Sequence, residues 1–124
     1  MLSTWRPKEE DDCCQWGGVV CDNVTGHVKE LQLDAIHGYS GLEGEISFIL
    51  NRLMVIMTRL TYLDLSENQF SGSIPKSIGN MTQLTYLNLG YNQFTGTIPN
   101  SIRSLTKLTT LVVGGNQFTG TIPM

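Results

Sequence analysis

Three cysteines and one histidine near the N-terminus are the residues best suited to chemistry in this chain of 124 residues. Cys13, Cys14, Cys21 and His27 carry thiol and imidazole groups, which hold zinc when four of them converge. Adjacent cysteines with a single histidine do not match the usual spacing of zinc ligands, and a disulfide explains the cysteines more simply. If the protein is secreted, the odd cysteine count leaves one thiol over.

Carboxylates are the second set of chemically capable residues. The acidic run at positions 9–12 lacks the glycine-spaced oxygen ligands of a calcium loop, so we interpret it as a solvated stretch. Asp64 and Glu67 could form an acid–base pair, but without a second motif they are better interpreted as exposed binding residues. Neither histidine, His27 or His37, lies in a nucleophile or metal motif. The sequence therefore predicts no enzyme, no metal and no cofactor.

The charge distribution limits the classes of partner. The formal net charge is −3, and all 11 acidic residues lie at or before Glu67. The sequence has no stripe of basic residues that could bind the phosphate backbone of a nucleic acid, so nucleic acid is not an expected partner. No apolar run is long enough to span a membrane, and residues 1–5 do not form a signal peptide.

A repeat of 24 residues organises the C-terminal half of the chain. Near-copies LTYLDLSENQFSGSIP, LTYLNLGYNQFTGTIP and LTTLVVGGNQFTGTIP begin at Leu60, Leu84 and Leu108. The spaced leucines predict a short strand with its leucines inward, and the Phe-x-Gly-x-Ile-Pro segment predicts a second short strand. Ser77 and Ser101 are predicted to cap helical turns on the return path. The recurring asparagines are expected to satisfy backbone groups where the chain turns: Asn68, Asn92 and Asn116.

A looser copy of the repeat starts at Val28. Leu31 and Leu33 take the strand positions, and Leu42, Gly44 and Ile46 match the later Phe, Gly and Ile. Two segments of this copy, residues 35–41 and residues 47–58, are each four residues longer than their counterparts in the later copies. Trp5 and Trp16 are expected to pack over its open side.

The 24-residue repeat resembles the leucine-rich repeats of plant extracellular proteins. The segments Leu2–Trp5, Asp12–Asp22 and Thr25–Val28 resemble the N-terminal cap of receptor-like proteins and polygalacturonase-inhibiting proteins. This resemblance implies an α/β repeat fold: a right-handed solenoid with a concave parallel β-sheet, a short second sheet, and 3-10 or helical turns on the convex side. It implies a shortened cap at 1–27 and about four repeats at 28–124 (28–59 degenerate, 60–83, 84–107, 108–124 incomplete), with truncation at both ends and no C-terminal cap.

The same resemblance implies secretion to the apoplast or cell surface, although the chain carries no signal peptide. It implies a disulfide between Cys14 and Cys21, whereas Cys13 lacks the partner cysteine that relatives carry on an upstream helix. Glycosylation is expected at the sequons of Asn23 and Asn80.

The outward positions of the concave sheet are the expected binding face. A protein or peptide ligand, such as a co-receptor or a wall enzyme in defence, would contact Glu30, Gln32, Tyr62, Asp64, Glu67, Tyr86, Asn88, Tyr91, Thr110 and Val112. Tyr62 and Tyr86 fit either a binding hot spot or a plain cross-strand pair.

Two further interpretations compete with ligand recognition. Hydroxyls on the second extended segment resemble the ice-binding face of plant antifreeze proteins with this repeat, at Thr95, Thr97, Thr119 and Thr121. The uncovered last rung, residues 119–124, could also mediate self-association.

Overall fold

The described residues form a solenoid of four stacked coils. A computed structural model describes residues 18–34, 41–56 and 59–123, with side chains except at positions 52–56. The first coil contains β2 (Val28–Gln32), β3 (Glu43–Glu45) and α1 (Ile46–Ile56). The next two coils each contain two strands and a 3-10 helix: β4 (Tyr62–Asp64), β5 (Gln69–Ser73) and Lys76–Asn80, then β6 (Tyr86–Asn88), β7 (Gln93–Thr97) and Asn100–Ser104. The fourth contains β8 (Thr110–Val112) and β9 (Gln117–Thr119).

Two sheets run along the stack, as the repeat predicts. The strands β2, β4, β6 and β8 pair in parallel to form the concave sheet, and β3, β5, β7 and β9 form the second sheet. Each leucine pairs with its counterpart on the next coil, Leu31 with Leu63 and Leu63 with Leu87. These leucines are fully buried, because alternation on the strand directs them into the coil. The predicted leucine-rich-repeat solenoid is confirmed.

An additional strand, β1 (Val19–Cys21), covers the first edge of the concave sheet and was not predicted. It runs antiparallel to β2, with Val19 opposite Leu31. The turn between them is closed by the Asp22 carboxylate, which accepts hydrogen bonds from the backbone N–H groups of Val24 (2.8 Å) and Thr25 (3.0 Å). The first rung is therefore not an open sheet edge.

Asparagine side chains tie each coil to the one before it. Asn92 Nδ2 donates to Leu65 O of the preceding coil (2.9 Å), and Asn92 Oδ1 accepts from Phe70 N (3.1 Å). Asn68 and Asn116 make the equivalent contacts with their own preceding coils. We call this set of bonds the asparagine ladder. It satisfies buried backbone groups that the turns leave without strand partners.

The predicted role of Ser77 and Ser101 as helix caps is wrong. Residues Pro75 and Pro99 take the N-cap positions, without a side-chain cap bond, and both serines lie inside the 3-10 helices. Their hydroxyl oxygens are buried and have no hydrogen-bond partner. Proline supplies the extended φ that begins each helix, so the cap position moves two residues upstream of the serine.

The first coil differs from the others on its return path. The extra residues there form an α-helix of 11 residues, α1, instead of a 3-10 helix. The alignment of Gly44 with the later glycines is confirmed, because Gly44 pairs with Phe70 as Gly72 pairs with Phe94. Nowhere in the described ranges is there a helix long and apolar enough to span a membrane.

Candidate functional site

The outward side of the concave sheet brings most of the predicted binding residues together. The register aligns one row as Glu30, Tyr62, Tyr86 and Thr110, and the next row as Gln32, Asp64, Asn88 and Val112. Parallel strands about 4.8 Å apart place the side chains of one row in contact. We call these two rows, together with the residues that end each strand, the outer face.

Tyr62 and Tyr86 form the aromatic centre of this face. Their rings are stacked, with centroids 4.2 Å apart and planes 3° from parallel. Burial, and then a hydrogen bond to Tyr86, raise the pKa of the Tyr62 phenol to about 12. Asn88 Nδ2 donates to Tyr86 Oη (3.2 Å), and the amide orientation is fixed because Asn88 Oδ1 accepts from Gly90 N (2.9 Å). The pair is held rigidly by polar contacts from neighbouring positions.

Asp64 is buried, and the prediction that it is exposed is wrong. Only 4% of Asp64 and 6% of Asp34 are accessible to solvent. Asp64 Oδ1 accepts from Ser66 N (2.9 Å) and Ser66 Oγ (2.6 Å), which turns the carboxylate down against the strand end. Burial, together with a hydrogen bond and repulsion from Asp34, raises the pKa of Asp64, although the Ser66 bonds act in the opposite direction.

Two residues at the strand ends adopt a left-handed backbone conformation. Glu67 has φ 59° and Tyr91 has φ 57°, whereas the fourth coil has Gly115 at this position, with φ 73°. A non-glycine residue in this region costs about 1–2 kcal/mol. Tyr91 lies over Gly115, since a Cβ atom there would come within 2.5 Å of the Tyr91 ring. The side chain is nevertheless 66% exposed, so the strain presents an aromatic ring to solvent rather than filling the core.

A depression of about 360 Å³ lies between these groups. The stacked tyrosines form one wall, and the strand-end residues form the other. Three residues of the second row, Asp64, Asn88 and Val112, lie between these two groups along the strands and form its floor. The lining residues are Asp34, Tyr62, Asp64, Ser66, Glu67, Tyr86, Asn88, Tyr91 and Val112. Of the predicted binding residues, Glu30, Gln32 and Thr110 lie outside it, and Gln32 Nε2 instead donates to Glu30 Oε1 (2.8 Å).

The second sheet presents a polar outer surface with a staggered register. Thr95, Thr97, Thr119 and Thr121 are all exposed. Residues at equivalent positions of two repeats do not pair in this sheet, because each strand is shifted by two residues along its neighbour. Thr97 therefore pairs with Thr119, whereas Thr95 pairs with Ser73 and Gln117. Glutamines therefore interrupt the predicted hydroxyl columns.

The remaining predicted sites lie at the margins of the described chain. Asn23 and Asn80 are both exposed. Cys21 is disulfide-bonded. The predicted partner Cys14, together with Cys13, Trp5, Trp16, His37 and the acidic run at 9–12, lies outside the described residues. In the ranges that are described, no three metal-ligating side chains cluster.

Two structural features were not predicted from the sequence. The threonines that immediately precede β4, β6 and β8 form a second ladder: the hydroxyl of Thr85 donates to Thr61 O (3.0 Å), and that of Thr109 donates to Thr85 O (3.0 Å). Their 24-residue recurrence was the available signal. Gly79 lets the two 3-10 helices pack closely, because a Cβ there would lie 2.6 Å from Ser101 O.

Comparison with known proteins identifies the repeat. A sequence profile described as leucine-rich repeat matches residues 27–93 and, in a second match, residues 58–118. The chain belongs to the leucine-rich-repeat family.

Relatives that are similar in sequence include plant receptor-like proteins. The chain is 46% identical over 77 residues to Receptor-like protein 35 of Arabidopsis thaliana, which covers 62% of this chain and 7% of that protein. It is 39% identical over 88 residues to Receptor-like protein EIX1 of Solanum lycopersicum, covering 64% of this chain and 8% of that protein. The chain therefore spans less than a tenth of these relatives.

Three solved structures that share the fold of the described residues each align with 98% of this chain. The ectodomain of the Arabidopsis thaliana receptor kinase GASSHO1/SCHENGEN3, in complex with CASPARIAN STRIP INTEGRITY FACTOR 2, is 37% identical with a TM-score of 0.82, and 14% of it is covered. The Arabidopsis thaliana BIR3–SERK2 complex gives 34% identity and a TM-score of 0.82 over 63% of the matched chain. A plant ice-binding protein gives 27% identity and a TM-score of 0.66 over 44% of its length.

Proposed function

We propose that this chain is an extracellular recognition module that binds an extended peptide, or an extended segment of a protein, through the outer face of its concave sheet. The depression beside the Tyr62–Tyr86 stack carries this proposal. Two tyrosines and a strained third one contribute to it, although the leucines and phenylalanines already fill the core. Tyrosine combines a large apolar surface with a polar end and is enriched at binding hot spots.

The dimensions of the face favour a short segment over a globular partner. Four parallel strands span about 14 Å across, whereas a standard protein interface buries roughly 800 Å² on each side. An extended segment of four or five residues crosses the same distance. The solved relatives support recognition as the class of function, since one is a receptor ectodomain in complex with CASPARIAN STRIP INTEGRITY FACTOR 2 and another is a complex of BIR3 with SERK2.

A phage library of random dodecapeptides tests the proposal directly. The library is selected on the immobilised wild-type chain, and the selected peptides are measured by interferometry against a variant with Tyr62, Tyr86 and Tyr91 changed to alanine. A matched variant carries Thr95→Ala and Thr97→Ala on the second sheet. We expect the tyrosine variant to lose binding and the threonine variant to retain it. Selected peptides that bind the tyrosine variant with unchanged affinity would place recognition elsewhere and overturn the proposal.

An ice-binding function is the second candidate. It is favoured by the exposed hydroxyls of the second sheet and by the likeness to a plant ice-binding protein. The glutamines between the hydroxyls weaken it, because they break the regular spacing of a hydroxyl face. An ice-recrystallisation assay of the wild type and the Thr95/Thr97 variant separates the two functions: growth inhibition that the threonine variant loses supports ice binding, and unrestrained crystal growth excludes it.

A further inference from the structure

The outer face is graded in charge from its first coil to its last. Its carboxyl groups belong to the first two coils, and they are Glu30, Asp34, Asp64 and Glu67. The third and fourth coils contribute Asn88, Tyr91 and Val112 to the depression instead. No lysine or arginine occupies either row of the face. The depression therefore has an anionic end beside the second coil and an uncharged, more apolar end beside the fourth.

We propose that the depression binds an extended segment with a cationic side chain, arginine or lysine, at its anionic end and an apolar side chain at its other end. The proposal rests on the proposed function and names the chemistry of the segment that this face selects. The occupant is a peptide segment of opposite charge, because complementary charge fixes both the partner and its orientation on an otherwise symmetric repeat.

Two carboxyl groups at the anionic end are shielded from water. Asp34 and Asp64 both line the depression, and both are more than nine-tenths buried. Ser66 donates two hydrogen bonds to Asp64 Oδ1, and the carboxyl group of Asp34 is hydrogen-bonded to the same side chain. Two carboxyl groups this close disfavour double ionisation. A guanidinium or ammonium group placed between Glu67 and Asp64 stabilises the ionised form of the pair, so cation binding should lower the raised pKa of Asp64.

The aromatic wall supports the same occupant. The Tyr62 ring borders the anionic end of the depression, and its partner ring continues the wall toward the third coil. A planar guanidinium can contact an aromatic ring while its N–H groups reach a carboxylate. At the opposite end, Val112 takes the place of Asp64 and Asn88 in the floor row, so the floor there offers a methyl surface and no polar side chain.

The spacing of the two ends predicts a sequence pattern. Asp64 and Val112 lie two strands apart in one row, about 9.6 Å. A polyproline II segment repeats its side-chain direction every three residues, about 9.3 Å. The cationic and apolar residues of the segment should therefore be three positions apart.

Four synthetic peptides test the inference on the full chain. Acetyl-Gly-Arg-Pro-Pro-Leu-Gly-amide and its reverse order, acetyl-Gly-Leu-Pro-Pro-Arg-Gly-amide, present the two ends in both directions. A third peptide replaces arginine by citrulline, which has a similar shape without the charge, and a fourth replaces it by glutamate. Titrations are followed by ¹H–¹⁵N NMR at low ionic strength, because surface charge pairs are screened by salt.

We expect one arginine peptide to shift amide resonances of the outer face, the citrulline peptide to bind about tenfold more weakly, and the glutamate peptide not to bind. A variant with Asp64→Asn and Glu67→Gln should bind the arginine peptide more weakly than the wild type does, by a similar factor. The matched variant Glu43→Gln and Glu45→Gln removes two charges from the second sheet and should leave the affinity unchanged.

Three results would overturn the inference: equal affinity for the arginine and citrulline peptides, equal losses in the two charge variants, or no binding of either arginine peptide. The proposed function is tested separately. If peptides selected from the library depend on the tyrosines but carry no cationic residue, the binding face is supported and only its charge preference is rejected.

Discussion

Removing the side chain of Asn92 should destabilise the protein by about 3 kcal/mol. Its amide oxygen is the acceptor for the buried Phe70 N–H, at 3.1 Å. Its Nδ2 group donates to three carbonyls, but each has a second donor: Leu65 O from Asn68 Nδ2 (3.3 Å), Leu89 O from Asn116 Nδ2 (2.8 Å), and Gly90 O from Glu67 N (3.0 Å). The carbonyls therefore remain partly satisfied in Asn92→Ala, and the Phe70 N–H does not.

The magnitude is set by these contacts. A buried donor without a partner costs about 1–3 kcal/mol, and the weakened amide bonds add about 0.5–1.5 kcal/mol. With a urea dependence of about 1.5 kcal/mol/M, the unfolding midpoint should fall by about 2 M. Circular dichroism during urea titration measures this shift.

Asn116→Ala is the matched control, because it removes the same side chain from the fourth coil. Asn116 accepts from Asn92 N and Phe94 N, both at 3.1 Å, but this site is only partly buried. Water can replace the lost acceptor there, so the midpoint should fall by about half as much or less. Equal shifts for the two variants, or a shift below about 0.3 M for Asn92→Ala, would refute the reasoning that burial sets the cost.

Three other changes test separate features. Gly79→Ala should lower the melting temperature, because the added Cβ would lie 2.6 Å from Ser101 O. Gly114→Ala should leave the melting temperature nearly unchanged, because a Cβ at Gly114 would have no atom within 4 Å. Similar melting temperatures for the two variants would contradict the close packing of the 3-10 helices. Glu67→Gly should raise the free energy of unfolding by about 0.5–1 kcal/mol by relieving φ 59°, measured by urea titration, and a loss of stability would show that the side chain is needed there. The raised pKa of Asp64 means that folding favours its protonated form, so this carboxyl destabilises the protein above its folded-state pKa, and the penalty disappears as the pH falls toward 3.8. The Asp64→Asn variant should therefore be more stable than the wild type at about pH 7.5 and lose that advantage at about pH 4. A difference in the free energy of unfolding that does not change with pH would contradict this prediction.

The repeated positions could be predicted from sequence because each has the same neighbours in every coil. Leu63 and Leu87 are buried by their counterparts above and below, so periodicity alone predicts their environment. Asp64 shows the limit of this logic. Alternation on the strand correctly predicts that it faces outward, but Asp64 is buried where it contacts Asp34 and Ser66, a combination that occurs at no other coil of the described chain. The α-helix α1 also differs from its counterparts, since the added residues of the first coil have no equivalent against which to align them.

The asparagine ladder has a consequence for synthesis on the ribosome. The amide that accepts from Leu42 N belongs to Asn68, and the one that accepts from Phe70 N belongs to Asn92, so each of the first three coils is completed by a residue of the next one. At about 5–20 residues per second, a period of 24 residues takes roughly one to five seconds to translate. During that interval the newest coil has its leucines in place but its turn donors are still hydrogen-bonded to water. Folding during translation should therefore advance one coil behind the emerging chain, and a pause between two coils should expose a single unfinished turn rather than an unfolded domain.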